Sequence, residues 1–246
     1  MDRVFESPEA ALYESWLDTT WGRRYLEASN ALVDRVLDYR PGWRVLDVGC
    51  GLGVHLEHLV ERGLLAYGLE AGPVMAKLAS RRLGSRAEVE LGDAHDLPYE
   101  DNAFDAVIMV GTLELLDRRA QVLAEAARVA ASRVCLVTVN SLGPYGWRLR
   151  LAGSKNPLKK GHSLALFSLL RLVREVLGPV PLTWAGASLW PRPLVGRWPF
   201  HSLVGVCAAV TPRLRALPLV APPETGPLGR QALAGHGRVT TLERVK

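Results

Sequence analysis

Cysteine is scarce in this 246-residue chain: Cys50, Cys135 and Cys207 are all it has, odd in number and far apart. Such spacing suggests neither a disulfide framework nor a CxxC metal site, and no bound metal is expected. A reducing, cytoplasmic setting is the simplest one for it. Long apolar runs are missing too. The best stretches, 163–177 and 203–210, are broken by charge or too short for the roughly 18 apolar residues of a spanning helix. The opening MDRVFESPEA has no basic segment leading into an apolar one, so no signal peptide and a soluble protein are expected. Acidic residues are scarce in one half only. Residues 1–140 carry 15 Lys+Arg against 22 Asp+Glu, while residues 141–246 carry 15 against 3, for net charges of −7 and +12. The second half is therefore expected to meet something anionic, and a peripheral contact with a membrane surface is compatible with its basic, Trp-rich character.

With 22% charged and 48% hydrophobic residues, the composition is that of an ordinary folded domain. Apolar residues recur at helical spacing over 9–17 and 24–37, with Thr19, Thr20 and Gly22 reading as a break between them. After the Pro41-Gly42 turn, short β runs alternate with helical stretches. Strands are expected at 43–48, 65–69, 87–91, 104–110 and 133–139, and helices at 54–62, 73–83 and 118–131. That rhythm points to βαβ units and a parallel sheet covered on both faces. After Asn140 it changes. Residues 141–162 form a basic stretch expected to be a long functional insertion. A helix over 163–177 and two more strands at 182–189 and 201–211 follow, around a Pro/Trp-rich connection at 190–199. One domain is expected over 1–211, with 1–40 as a helical cap, and 212–246 as a Pro/Gly-rich, loosely ordered tail.

The strongest chemical signal is Val45-Leu46-Asp47-Val48-Gly49-Cys50-Gly51-Leu52-Gly53, where a strand runs into a helix. Glycines there let the backbone turn tightly and approach a ligand. Glu70 ends the second strand, the place from which a carboxylate reaches ribose hydroxyls. A dinucleotide would need G-x-G-x-x-G and would set its pyrophosphate beside Asp47, which repels it. The spacing here is G-x-G-x-G, and an acid beside it favours a cationic ligand, S-adenosylmethionine.

These motifs resemble the class I S-adenosylmethionine-dependent methyltransferases, on the small-molecule side that includes quinone-biosynthesis C-methyltransferases. The resemblance is close over about residues 43–140. It implies a Rossmann-like, doubly wound α/β fold: a mostly parallel seven-stranded sheet with helices on both faces and an antiparallel last strand. It implies S-adenosylmethionine as cofactor and S-adenosylhomocysteine as product. The loop Gly49–Gly53, including Cys50 as a small packing residue, would lie under the cofactor, with Asp47 organising it and Glu70 on the ribose. In Gly92-Asp93-Ala94-His95-Asp96-Leu97-Pro98, Asp93 would meet the adenine amino group and Ala94 the ring. Gly111 and Thr112 would lie near the methionine part. Tyr13 and Trp21 are candidates to close over the cofactor from the N-terminal helices, but helix packing is the better explanation of both.

Methyl transfer is an in-line displacement that asks the protein mainly for position and dryness. Where a base is needed, the candidates are His95, Glu114, His162 and His201. An Asn/Asp-Pro-Pro-aromatic motif is absent from Val110-Gly111-Thr112-Leu113-Glu114, which argues against methylation of a flipped DNA base. The expected acceptor is a small molecule, anionic or lipid-like, held by Trp147, Arg148 and His162 of the basic insertion. Two other readings stand beside it: a catalytically inactive S-adenosylmethionine-binding partner subunit, and an RNA methyltransferase. The second is disfavoured because the aromatics form no recognisable stacking module. Nothing in the sequence sets the oligomeric state.

Overall fold

A computed structural model describes residues 7–151, 156–190 and 192–213. Strands β1 (Arg44–Val48), β2 (Leu65–Glu70), β3 (Glu88–Leu91), β4 (Phe104–Val110), β5 (Ala130–Val139), β6 (Leu182–Ser188), β7 (Leu194–Gly196) and β8 (Leu203–Ala209) form one sheet in the order β3-β2-β1-β4-β5-β8-β6-β7. The first five are parallel, and β8 runs antiparallel to both β5 and β6. The sheet has eight strands, one more than expected. The extra one, β7, comes from the Pro/Trp-rich connection and pairs antiparallel with β6 at the sheet edge, where a flanking proline such as Pro193 is tolerated.

The inner strands are apolar at nearly every position because both faces are covered. Successive side chains part to opposite sides. Val45, Ile108 and Val137 join one core with α2 (Thr20–Leu37), α3 (Val54–Glu61) and α4 (Pro73–Leu83). Leu46, Val107 and Leu136 join the other with α5 (Arg119–Val129) and α7 (Leu166–Leu177). Helix α5 stops at Val129, short of the expected 131, because Ala130 already pairs with Phe104 in the β4–β5 ladder.

At the N-terminus, α1 (Ser7–Leu17) and α2 are separated by two residues only. Thr19, expected as part of a longer break, is instead the cap of α2: its Oγ1 accepts the Gly22 N–H at 3.1 Å and its hydroxyl donates to the Trp16 carbonyl at 2.6 Å. Gly22 lies inside the helix, pressed against the backbone of Trp16 and Leu17 where no side chain fits. The basic insertion is more ordered than a loop. It contains α6 (Pro144–Leu151) and a 3-10 turn, Pro157–Lys160. The expected tail lies outside the described residues from 214 onward.

The cysteine reading needs correction. Cys135 and Cys207 stand opposite each other in the β5–β8 register, with Cα atoms 4.0 Å apart, and are joined by a disulfide. A separation of 72 residues hid a pairing that only the crossover brings about. Cys50 is free and buried. Among the described residues, no helix is long and apolar enough to cross a membrane.

Two stability predictions follow from this packing. Leu46 is fully buried in the central strand, so Leu46→Ala should cost about 2–5 kcal/mol in urea unfolding. On the α2–α3 surface, Asp34 binds His58 at 2.9 Å, Arg62 at 2.8 Å and the Tyr39 hydroxyl at 3.0 Å. Burial opposes its ionisation, but these bonds outweigh it and hold its pKa below the usual carboxylate value. A depressed pKa contributes stability above the unfolded value, and the contribution is lost as pH falls through the folded one. Asp34→Asn should therefore be less stable than the parent at neutral pH, and the gap should close in acid; a gap independent of pH would overturn this.

Candidate functional site

Where β1 ends, the chain turns into α3 through five residues, and the amides of the first three are all taken by the end of β2. The Gly49 and Cys50 N–H groups donate to the Leu69 carbonyl at 2.7 and 3.1 Å. The Gly51 N–H donates to Glu70 Oε2 at 2.9 Å, and the Gly72 N–H donates to Glu70 Oε1 at 2.8 Å. Gly49 has φ +75°, and any side chain there would run into Thr112, whose hydroxyl donates to the Gly49 carbonyl at 3.2 Å. Burial pushes the Glu70 pKa up, while the loop amides pull the other way by stabilising its charge.

Beneath this turn lies Asp47, on the same face of β1 as Val45. It is 1% exposed, and neither carboxylate oxygen has a hydrogen-bond partner among the described residues. Burial, reinforced by the charge of Glu70, pushes its pKa up to about 8. An orphaned carboxylate in a dry site is satisfied by a cation set over it. After β3, the Asp93 Oδ1 accepts the His95 N–H at 2.9 Å and lies 2.7 Å from His95 Nδ1. The His95 amide is the main reason its pKa is held down.

A cavity of about 360 Å³ opens over these elements, within the range of small-molecule sites. Gly49, Cys50, Gly51, Glu70, Asp93, Ala94, Gly111 and Thr112 all line it. Asp47 lies below it. Gly53 does not reach it; it caps α3 and packs against Ala79 and Leu83 of α4. Cys50 is pushed well above the usual thiol value by burial and is no nucleophile there. On the opposite wall stand Tyr13 of α1, Tyr25 of α2, Val139 of β5, Glu114, Pro157 and Leu158. The ring of Trp16 lies between the two tyrosines, 5.8 Å from Tyr13 and 5.4 Å from Tyr25. His55 also lines the cavity, bonded through Nδ1 to Asn30 at 2.8 Å. Burial drops its pKa to about 3, so it is neutral.

Of the four candidate bases, Glu114 alone lines the cavity. His95 is turned to Asp93, and His201 packs against Trp198 and Gly186. The predicted acceptor residues do not line this cavity. Trp147 is exposed, and Arg148 lies flat over Trp21, 4.5 Å from its ring centroid. Trp21 itself stacks on Tyr145 and Trp190, away from the cavity that Tyr13 lines. His162 lines a separate hollow with Arg150 and Lys159. The cause is α6: once 144–151 is helical, its cations lie on the outer surface. Sequence reasoning missed Tyr25, His55, Pro157 and Leu158. The first two read as ordinary helix residues, and the last two sit among lysines that masked their apolar role.

The protein family described as a methyltransferase domain matches residues 46–137. Ajmaline N-methyltransferase of Rauvolfia serpentina is 30% identical over 159 residues, covering 60% of this chain and 55% of that protein. A demethylmenaquinone methyltransferase of Thermotoga maritima is 34% identical over 132 residues, covering 52% of this chain and 53% of that one. The chain thus spans about half the length of these relatives. The solved structure of an S-adenosylmethionine-dependent methyltransferase from Thermotoga maritima shares the fold, with a TM-score of 0.67 over 80% of this chain and 93% of that one, at 21% identity. The glycine turn, the two strand-end acids and this sheet order thus stand in a chain whose residues 46–137 match a methyltransferase domain and whose fold is shared with a solved S-adenosylmethionine-dependent methyltransferase.

Proposed function

We propose that this protein transfers a methyl group from S-adenosylmethionine to a small molecule held in the cavity between the glycine turn and α1–α2. The observation that carries the reading is the gathering, in one cavity, of the glycine turn, Glu70, Asp93 and Thr112, next to the strand in which Asp47 is buried with no hydrogen-bond partner among the described residues. In this reading Glu70 is aimed at the ribose hydroxyls by the Gly51 and Gly72 amides. Asp93 and Ala94 receive the adenine, and Gly111 and Thr112 border the methionine part. Asp47 supplies negative charge beneath the cationic portion. Bound S-adenosylmethionine supplies an electrophilic methyl group on a positively charged sulfur. The chain's own contribution is to orient the two reactants and to exclude water, for which the apolar wall of Val139, Pro157 and Leu158 is suited.

Calorimetric titration tests this. S-adenosylmethionine and S-adenosylhomocysteine should bind and NAD should not. Glu70→Ala should weaken both on the order of tenfold to a hundredfold, the worth of hydrogen bonds to a charged group. Folded protein that binds neither S-adenosyl compound would sink the reading.

The acceptor meets no lysine or arginine within the cavity among the described residues. An anionic group on it is met only at the mouth, where the hollow of Arg150, Lys159 and His162 shares Leu158, Gly161 and Ser163 with the cavity. The outer surface of the second half supports a peripheral contact with an anionic bilayer. Trp147, Leu151, Trp190 and Trp198 are all more than half exposed there, among Arg148, Arg150 and Arg197. The chain should sediment with vesicles containing phosphatidylserine and not with neutral ones, and high salt should release it. Equal recovery with both vesicle types would remove the membrane from this reading.

A further inference from the structure

One carboxylate of the cavity has no part in holding S-adenosylmethionine in the reading above. Glu114 sits on the 3-10 turn Leu113–Leu115 that follows β4 and is 5% exposed. Its Oε1 accepts the Val139 N–H at 3.1 Å, and its Oε2 has no hydrogen-bond partner among the described residues. The groups acting on it are the Thr138 hydroxyl, the amides of Glu114 and Val139, the charge of Arg119, and two phenols. Tyr13 and Tyr25 line the same cavity and lie close enough to feel its charge, and burial above all keeps their hydroxyls protonated. The neighbouring cation is committed elsewhere: Arg119 Nε donates to the Leu113 and Leu116 carbonyls at 2.9 and 3.1 Å. His162 offers its backbone N–H to the Glu114 carbonyl at 2.8 Å, not to the side chain.

An anionic nucleophile would have to carry its charge among Asp47, Glu70, Asp93 and Glu114, in a medium where Coulomb repulsion is only weakly damped. A cation is stabilised by the acids that line the cavity, Glu70, Asp93 and Glu114. Burial raises the Glu114 pKa against the opposing pull of the Thr138 hydroxyl, the Glu114 and Val139 amides and the Arg119 charge, and an incoming ammonium would add to the groups that favour its carboxylate.

We propose that the methyl acceptor is an apolar amine, which enters as an ammonium ion paired with Glu114 beside Tyr13 and Tyr25. The proposal rests on the methyltransferase reading. The ammonium N–H proton passes to Glu114 Oε2 and frees the nitrogen lone pair. That pair forms the N–C bond as the methyl C–S bond breaks, and the electrons of the broken bond stay on sulfur.

The test uses three probes of one shape and different charge, phenethylamine, 2-phenylethanol and 3-phenylpropionate, titrated calorimetrically into protein saturated with S-adenosylhomocysteine. Phenethylamine should bind on the order of tenfold or more tighter than the alcohol, the propionate should bind weakest, and Glu114→Gln should erase the preference for the amine. An S-adenosylhomocysteine titration of the variant, run alongside, shows whether its site has formed. Where it has not, the three-probe comparison in the parent protein decides alone. Binding of the alcohol or the propionate as tight as that of the amine, no binding of the amine, or a preference that survives in Glu114→Gln would each overturn the proposal. Failure of S-adenosylhomocysteine itself to bind the parent protein would instead remove the methyltransferase reading beneath it.

Discussion

Three consecutive amides, those of Gly49, Cys50 and Gly51, are bound by the last two residues of β2. The turn that forms the cavity floor therefore has no shape of its own; it takes its shape from the β1–β2 register. That register sets Asp47 against Gly68 and Val48 against Leu69. A slip of one residue would turn Glu70 to the other face of the sheet and leave the amides unpaired in a buried place. The alternating apolar residues of β1 and β4, buried on both faces, forbid such a slip. Packing of the two cores thus fixes the position of a carboxylate at the end of a strand, and that carboxylate in turn holds the loop.

The same arrangement has an electrostatic cost. Asp47 is buried beside the half-buried Glu70, whose charge opposes its ionisation. A carboxyl raised to about 8 in the fold but ordinary when unfolded makes the fold progressively less stable as pH rises between those two values. A cationic ligand over Asp47 reverses that loss, so binding and stability are linked through one group. S-adenosylmethionine, the cofactor proposed above, carries positive charge at its sulfur and would supply such a charge. Local rules broken without compensation inside the chain are a mark of functional sites, and Asp47 is such a break: an ionisable side chain buried in an inner strand with no hydrogen-bond partner among the described residues.

The parts of the site that were legible in the sequence are those that one βαβ unit brings together. Gly49, Gly51 and Glu70 belong to successive elements, and their spacing carries the geometry. Asp93, Gly111 and Thr112 follow at the ends of the next parallel strands, where the crossover rule places them on the same edge. What was illegible depends on long-range packing. Tyr25 reads as one apolar residue of α2, and only the docking of that helix on the sheet sets its hydroxyl beside Gly111. Cys135 and Cys207 meet because β8 enters the sheet antiparallel beside β5, a pairing that no local pattern encodes. The eighth strand was hidden because three residues between prolines and tryptophans carry too little periodicity to register as β structure.

The basic second half was read as a grip on the acceptor, and the structure places two of its arginines differently. Arg148 lies over Trp21, Arg197 over Trp184, and Arg24 of α2 joins them over Trp190. These guanidiniums face aromatic rings at the surface, where they keep contact with water while covering apolar area. The result is a molecule whose charge is sorted by depth: carboxylates line the cavity, and arginines and tryptophans cover the outer face of α6 and the β6–β8 connection. A cation drawn toward the carboxylates gains more the further in it goes, as the medium becomes drier. An anion gains only at the mouth. Sorting by depth therefore selects the sign of charge at the point of transfer, whatever the shape of the acceptor, and it does so with residues that local sequence patterns assign to helices and turns.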